Sequence, residues 1–134
     1  MRVLIVDNDI NTVETLKAAL SGRKELAIDT AYGGREALEK MTADPDYALV
    51  VLDIMMPEVN GIDVCAAMVG SEKMRDIPVL LVSALPIESK EFQGSLVKFN
   101  ELAVIKGVME KPFSMADFTA KVLAIIGSPN ISGR

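Results

Sequence analysis

Five short apolar segments alternate along the chain with segments of helical periodicity. The apolar segments are residues 2–6, 26–31, 47–52, 77–82 and 108–110. The first, third and fourth are apolar almost throughout, which is typical of strands covered on both faces. We therefore interpret the five segments as strands.

The segments between and after these strands predict helices. In residues 12–22, apolar side chains recur at the intervals that share one face of a helix, and Gly22 follows as a stop. The other predicted helices lie in residues 33–41, in residues 60–68 with Asn60 as N-cap, and from Ser114 to Gly127. Residues 86–106 are ambiguous, because Gly94 interrupts a helical apolar stripe there.

Regular alternation of strands and helices indicates one α/β domain. We predict a doubly wound, five-stranded parallel sheet of the flavodoxin-like (βα)5 type, with strand order 2-1-3-4-5 and helices on both faces. The domain is expected to cover residues 1–127, and residues 128–134 are expected to form a flexible tail. In this topology ligands bind beyond the carboxyl ends of the strands, near strands 1 and 3.

The composition excludes several classes of function. The chain has 134 residues, no histidine and a single cysteine, Cys65, so it offers neither a histidine-based active site nor a disulfide. A formal net charge of −5 argues against direct nucleic-acid binding. No apolar run approaches the ~18 residues of a membrane span. We expect a cytoplasmic protein, with Cys65 in its core.

Polar residues follow the predicted strands at one edge of the sheet. Asp7, Asn8 and Asp9 follow the first strand, Asp53 ends the third, Ser83 ends the fourth and Lys111 follows the fifth. Carboxylates from two loops repel each other unless a cation lies between them, and oxygen ligands favour Mg²⁺. A metal, a lysine and a hydroxyl suit a phosphoryl group, for which a carboxylate can be the acceptor. Asp53 is the candidate acceptor.

Four motifs carry a resemblance to a known family. They are LIVDND, VVLDIMMPEVNG, PVLLVSA and EKPF, in this order and covering nearly the whole chain. The sequence resembles the receiver domain of two-component response regulators, of the stand-alone type found in chemotaxis. Four motifs with these separations are far more specific than any one alone.

The resemblance implies roles for individual residues. Asp53 would accept a phosphoryl group from the phosphohistidine of a sensor histidine kinase or phosphotransfer protein. The positions that match the Mg²⁺ site are Asp7, Asn8, Asp53 and the backbone carbonyl of Met55. Ser83 and Lys111 would contact the phosphoryl group. The protein would then be a signalling switch rather than an enzyme, and its downstream target would bind residues 86–110 and the last helix.

The sequence departs from the family pattern at three places. The second residue of the family's acidic pair is here Asn8, which is a weaker Mg²⁺ ligand than a carboxylate. Val108 stands where the family has an aromatic switch residue. The segment between Ser83 and Lys111 is several residues longer than usual. Asn8 and Val108 favour an alternative within the family, a degenerate receiver that binds partners without being phosphorylated.

Other interpretations of the same residues remain open at this point. A phosphatase of the haloacid dehalogenase type would use Asp7 as nucleophile and Asp9 as acid, but it needs an acidic pair after Lys111 and gives Asp53 no role. A flavodoxin-like nucleotide binder would need a phosphate loop, and no glycine-rich phosphate motif occurs. Asp7 is also placed where an acid serves merely as the N-cap of the first helix.

Overall fold

The computed structural model describes residues 1–84 and 104–127, which form a five-stranded sheet and four helices. The strands are β1 (Arg2–Val6), β2 (Ala27–Ala31), β3 (Leu49–Asp53), β4 (Val79–Ser83) and β5 (Ile105–Glu110). The helices are α1 (Ile10–Leu20), α2 (Gly34–Ala43), α3 (Gly61–Val69) and α4 (Met115–Ile126). All strands are parallel, in the order β2-β1-β3-β4-β5, so the predicted fold and strand order are confirmed.

The core has two layers because successive residues of a strand face opposite sides of the sheet. On one side, Leu4 and Leu52 pack in a cluster with residues of α2 and α3, which include the buried Cys65. On the other side, Val3 and Val51 pack in a cluster with residues of α1 and α4. The central strands β1, β3 and β4 are buried almost throughout, as their continuous apolar sequences predict.

Element boundaries differ from the prediction by one to three residues, as at the starts of α1 and β5. Helix α1 begins at Ile10, two residues earlier than its apolar stripe indicates, because Asp9 caps it. Strand β5 begins at Ile105 rather than Val108. Its register against β4 shifts by one residue between the partners of Val79 and Leu80. Such irregularities are common on edge strands. The predicted caps Asn60 and Ser114 are confirmed.

Several predictions fall outside the described residues. These are the interrupted apolar stripe, for residues 86–103, and the flexible tail, residues 128–134. Of the helices in the described part, none has both the length and the apolar character needed to cross a bilayer.

A polar cluster joins the elements at the amino end of the sheet, opposite the strand ends that carry Asp7 and Asp53. Arg2 forms ion pairs with Asp29 at 2.9 Å and Asp44 at 2.8 Å, and its guanidinium lies 4.2 Å from the centre of the Tyr47 ring. The Tyr47 hydroxyl donates to Asp29 at 2.8 Å. Burial and this hydrogen bond raise the pKa of Tyr47 to about 12.

Candidate functional site

The candidate site lies where strands β1, β3, β4 and β5 end. Asp7 follows β1, Asp53 ends β3, Ser83 ends β4 and Lys111 follows β5. Backbone hydrogen bonds continue the sheet ladder into this edge, from Asp7 N–H to the Ala31 carbonyl (3.1 Å) and from Lys111 N–H to the Ser83 carbonyl (2.7 Å). The topology thus brings together four of the residues that the sequence singled out.

Burial distinguishes this edge from the rest of the surface. Leaving aside Tyr47 and Cys65, the buried polar residues among those described are Asp7, Asp53 and Ser83. Charged groups are rarely buried unless they are paired, because removing them from water is costly. Three buried polar residues at one sheet edge therefore indicate a functional site.

Lys111 supplies the positive charge. Its Nζ lies 3.0 Å from Asp7 Oδ2 and 3.8 Å from Asp53 Oδ1, so one ammonium group faces two carboxylates. Of these two carboxylates it is hydrogen-bonded to that of Asp7, since 3.8 Å is beyond hydrogen-bonding distance.

The charge of Lys111 does not balance the site. Burial first, and then the charge of Asp7, raise the pKa of Asp53 to about 6, although Lys111 and the Met55 amide act in the opposite direction. The Met55 N–H donates to Asp53 Oδ1 at 3.4 Å. One ammonium group facing two ionised carboxylates leaves the site with an excess of negative charge.

The loop after β3 is held close to the end of that strand. The Ile54 carbonyl accepts hydrogen bonds from Met56 N–H at 3.1 Å and Gly61 N–H at 3.0 Å. A Cβ on Gly61 would lie 2.6 Å from the Asp53 carbonyl oxygen, so a side chain does not fit there. Met56 is buried in the core, whereas Met55 is 52% exposed.

Asp9, rather than Asp7, caps helix α1. Its side-chain oxygens accept the Asn11 N–H at 3.1 Å and the Thr12 hydroxyl at 2.8 Å. This observation excludes the interpretation of Asp7 as a mere N-cap. It also opposes the phosphatase interpretation, in which Asp9 is the catalytic acid. Asn8, between the two acids, is exposed.

The donor groups present fit a hard divalent cation. Within residues 1–84 and 104–127, no three acidic, cysteine or histidine side chains lie together as a metal-binding group. A cation at this edge would therefore use the two carboxylates Asp7 and Asp53, supplemented by amide or carbonyl oxygens such as those of Asn8 and Met55. The mutual repulsion that raises the pKa of Asp53 is what such a cation would relieve.

The roles of two site residues were not predicted from sequence. One is Gly61, whose close approach to Asp53 depends on the path of the loop. The other is Asp9, whose backbone N–H donates to Asp7 Oδ1 at 2.9 Å. The sequence signal was ambiguous, because Asp7 and Asp9 both precede the helix and an acid is an acceptable N-cap at either position. Val108, at the switch position, is partly buried and packs against the α2 and α3 side of the core.

Comparisons with known proteins agree with this arrangement. The family model described as the response regulator receiver domain matches residues 3–123. Response regulator MprA of Mycobacterium tuberculosis is 30% identical over 126 residues, which make up 94% of this chain and 50% of that protein. The chain thus spans about half the length of the curated relatives that it matches.

Two solved structures illustrate the similarity in fold. The signal receiver domain of a signal transduction histidine kinase from Syntrophus aciditrophicus has a TM-score of 0.82 at 23% identity, covering 96% of this chain and 92% of that one. The CheX-CheY-BeF3-Mg²⁺ complex from Borrelia burgdorferi gives 0.77 at 29% identity, covering 93% and 88%.

Proposed function

We propose, since this chain belongs to the family of response regulator receiver domains, that it is a signalling switch phosphorylated on Asp53. The phosphoryl donor would be the phosphohistidine of a sensor histidine kinase or phosphotransfer protein. This assignment agrees with the lack of histidine in the chain itself. The downstream partner is proposed to bind residues 86–110 and α4.

The reaction is a transfer of one phosphoryl group between two side chains. A carboxylate oxygen of Asp53 forms a bond to phosphorus, the bond from phosphorus to the imidazole nitrogen of the donor breaks, and the imidazole retains the electron pair. The product is an acyl phosphate on Asp53. Asp53 must be ionised to act as the nucleophile, so the Lys111 ammonium favours the reactive form.

Mg²⁺ is proposed as the cofactor, held by Asp7, Asp53, the Asn8 amide and the Met55 carbonyl. When bound, it would neutralise charge on the phosphoryl oxygens. Lys111 would contribute a second positive charge beside the acceptor, and Ser83 a hydroxyl at the end of β4. Both residues lie at the same sheet edge as the acceptor and act through charge and hydrogen bonding rather than covalently.

The observation that carries this proposal is the position of the Asp53 carboxylate. It is buried at the end of a central strand, 3.8 Å from the Lys111 ammonium, and its pKa is raised first by that burial and then by the charge of Asp7. A carboxylate with a purely structural role would be expected to pair fully with its cation. Here the Lys111 ammonium is hydrogen-bonded to Asp7 instead.

Intact-mass analysis after incubation with acetyl phosphate and Mg²⁺ tests the proposal. The wild-type chain should gain the mass of one phosphoryl group, and Asp53→Asn should gain none. Asp76→Asn is a matched control, because Asp76 is exposed and lies away from the sheet edge. Equal labelling of wild type and Asp53→Asn would refute the assignment, as would a wild type that no donor labels, including its own kinase.

One observation favours a second candidate, a receiver that binds partners without phosphorylation. The second position of the acidic pair is the neutral, exposed Asn8, which weakens the proposed cation site. For this candidate, partner binding should be equal for wild type and Asp53→Asn. A partner that discriminates between wild type treated with phosphodonor and Asp53→Asn would exclude it.

A further inference from the structure

The carboxylate of Asp7 is held at both oxygens by different parts of the chain. Oδ1 accepts the backbone N–H of Asp9 at 2.9 Å, and Oδ2 accepts Lys111 Nζ at 3.0 Å. The ammonium group of a lysine sits on a flexible four-carbon side chain, whereas a backbone amide moves only with the backbone. The contact with Asp9 is therefore the more rigid of the two.

The backbone of Asp9 is fixed in turn by the first turn of α1. Its side-chain oxygens accept the Asn11 N–H and the Thr12 hydroxyl, and its carbonyl accepts the Val13 N–H at 3.1 Å. Asp9 has the extended backbone conformation of an N-cap, with φ −93° and ψ 108°. Three hydrogen bonds to α1 thus determine the direction in which the Asp9 N–H points.

These contacts also show how the charge of Asp9 is used. Both Asp9 oxygens are engaged by the helix. Asp9 is therefore placed as a cap, and not as a spare carboxylate that replaces the acid missing at Asn8.

We propose that Asp9 is a positioning residue for the acidic site. By capping α1, it holds its own N–H against Asp7 and keeps that carboxylate oriented to bind a divalent cation, much as outer groups orient metal ligands elsewhere. The role requires a capping side chain at residue 9, and a negative charge there is unnecessary. This inference rests on the proposed function, because it takes Asp7 as a cation ligand.

A crossed set of variants separates the cap from the charge. Asp9→Asn keeps a capping oxygen and loses the charge, Asp9→Glu keeps the charge on a side chain that is not a preferred N-cap, and Asp9→Ala loses both. Ser114→Ala is the matched control. This substitution removes the N-cap of α4. The Ser114 hydroxyl accepts the Asp117 N–H at 2.9 Å and does not contact the acidic site.

The primary measurement is the Mg²⁺ affinity of the full chain by titration calorimetry. Asp9→Asn should stay within about twofold of wild type, while Asp9→Glu and Asp9→Ala should bind about fivefold more weakly, the factor that a helix cap typically contributes to an equilibrium. Ser114→Ala should bind like wild type. Hydrogen exchange of the residue 9 amide is measured by NMR in the absence of metal. It should be about fivefold faster than in wild type in Asp9→Glu and Asp9→Ala, but not in Asp9→Asn.

Each outcome decides the question. If affinity follows charge, so that Asp9→Glu binds like wild type and Asp9→Asn binds weakly, Asp9 acts electrostatically and the inference is wrong. Equal affinity in all the Asp9 variants also refutes it. A wild type that binds no Mg²⁺ would instead show that the proposed cofactor is wrong. In that case equal amide exchange in wild type and Asp9→Ala would refute the positioning role independently.

Discussion

Replacing Gly61 by alanine tests how closely helix α3 must approach strand β3. The added Cβ would lie 2.6 Å from the Asp53 carbonyl oxygen and 2.9 Å from Ile54 Cα, both of them backbone atoms. Strand β3 cannot yield easily, because it is paired with β1 and β4 and the Ile54 N–H continues the ladder to the Val82 carbonyl at 3.0 Å. The start of α3 must therefore move away.

The size of the effect follows from these distances. Reaching ordinary contact at 3.4 Å requires a shift of about 0.8 Å, which stretches the 3.0 Å hydrogen bond from Gly61 N–H to the Ile54 carbonyl. Overpacking costs about 1–3 kcal/mol, a lost hydrogen bond about 1 kcal/mol, and the better helix propensity of alanine offsets up to about 1 kcal/mol. We expect a net loss of about 1–3 kcal/mol in the free energy of unfolding.

Urea denaturation of Gly61→Ala and Gly22→Ala measures this loss against a matched control. No atom lies within 4 Å of a Cβ on Gly22, and its φ is not positive, so Gly22→Ala should be neutral or stabilising by up to about 1 kcal/mol. Because the shift acts on the backbone that carries Asp53, Gly61→Ala should also slow phosphorylation by acetyl phosphate, by up to about a hundredfold. Equal stability and equal rates in the two variants would show that the close approach is unimportant.

Three further predictions concern the metal, the lifetime of the phosphorylated state and the pH dependence of stability. Asn8→Asp should tighten Mg²⁺ binding by about one to two powers of ten in a calorimetric titration, and an unchanged affinity would mean that residue 8 does not face the ion. Met55→Asn should shorten the lifetime of the acyl phosphate, followed by mass over time, because an amide can orient the attacking water where the thioether cannot; equal lifetimes would contradict this. Burial opposes ionisation of Asp29, but hydrogen bonds from Arg2 and Tyr47 outweigh it, so its folded-state pKa lies below the ordinary 3.8. The resulting stabilisation is complete above pH 3.8 and is lost as the pH falls through the folded-state pKa. In urea titrations at different pH, the free energy of unfolding of Asp29→Asn should therefore decline less steeply below pH 3.8 than that of wild type. Parallel declines in the two proteins would disprove this prediction.

The sheet order and the convergence of the site residues could be predicted because they depend on local patterns. Apolar strands separated by amphipathic helices permit few arrangements, and the parallel topology places all carboxyl ends at one edge. Asp53 and Lys111 are 58 positions apart in the chain. Their proximity, at 3.8 Å, follows from both residues standing at the ends of strands of this sheet.

Features that depend on the path of the backbone between elements could not be predicted in the same way. Asp7 and Asp9 are both acids before a helix, and only the hydrogen bonds show that Asp9 caps it while Asp7 faces Lys111. Glu58 has a positive φ of 67°, which no residue preference in that loop indicates, since glycine or asparagine would be the usual choice. The extra residues at the start of β5 include a register shift against β4, between the partners of Val79 and Leu80.

The two ionic clusters of the described residues show why composition alone does not identify a site. At one end of the sheet Arg2 pairs with two aspartates, and at the other Lys111 faces two aspartates. The pKa of Asp29 in the first cluster is lowered, whereas the pKa of Asp53 in the second is raised. Asp29 is 40% exposed, and the hydrogen bonds that it accepts from Arg2 and Tyr47 outweigh the effect of its burial. The Asp53 side chain is only 5% exposed, and there burial together with the charge of Asp7 outweighs Lys111 and the Met55 amide. A buried arrangement of this kind costs stability and is expected where a cation or a transferred group binds. It can be recognised only from the folded structure, because only folding removes these carboxylates from water.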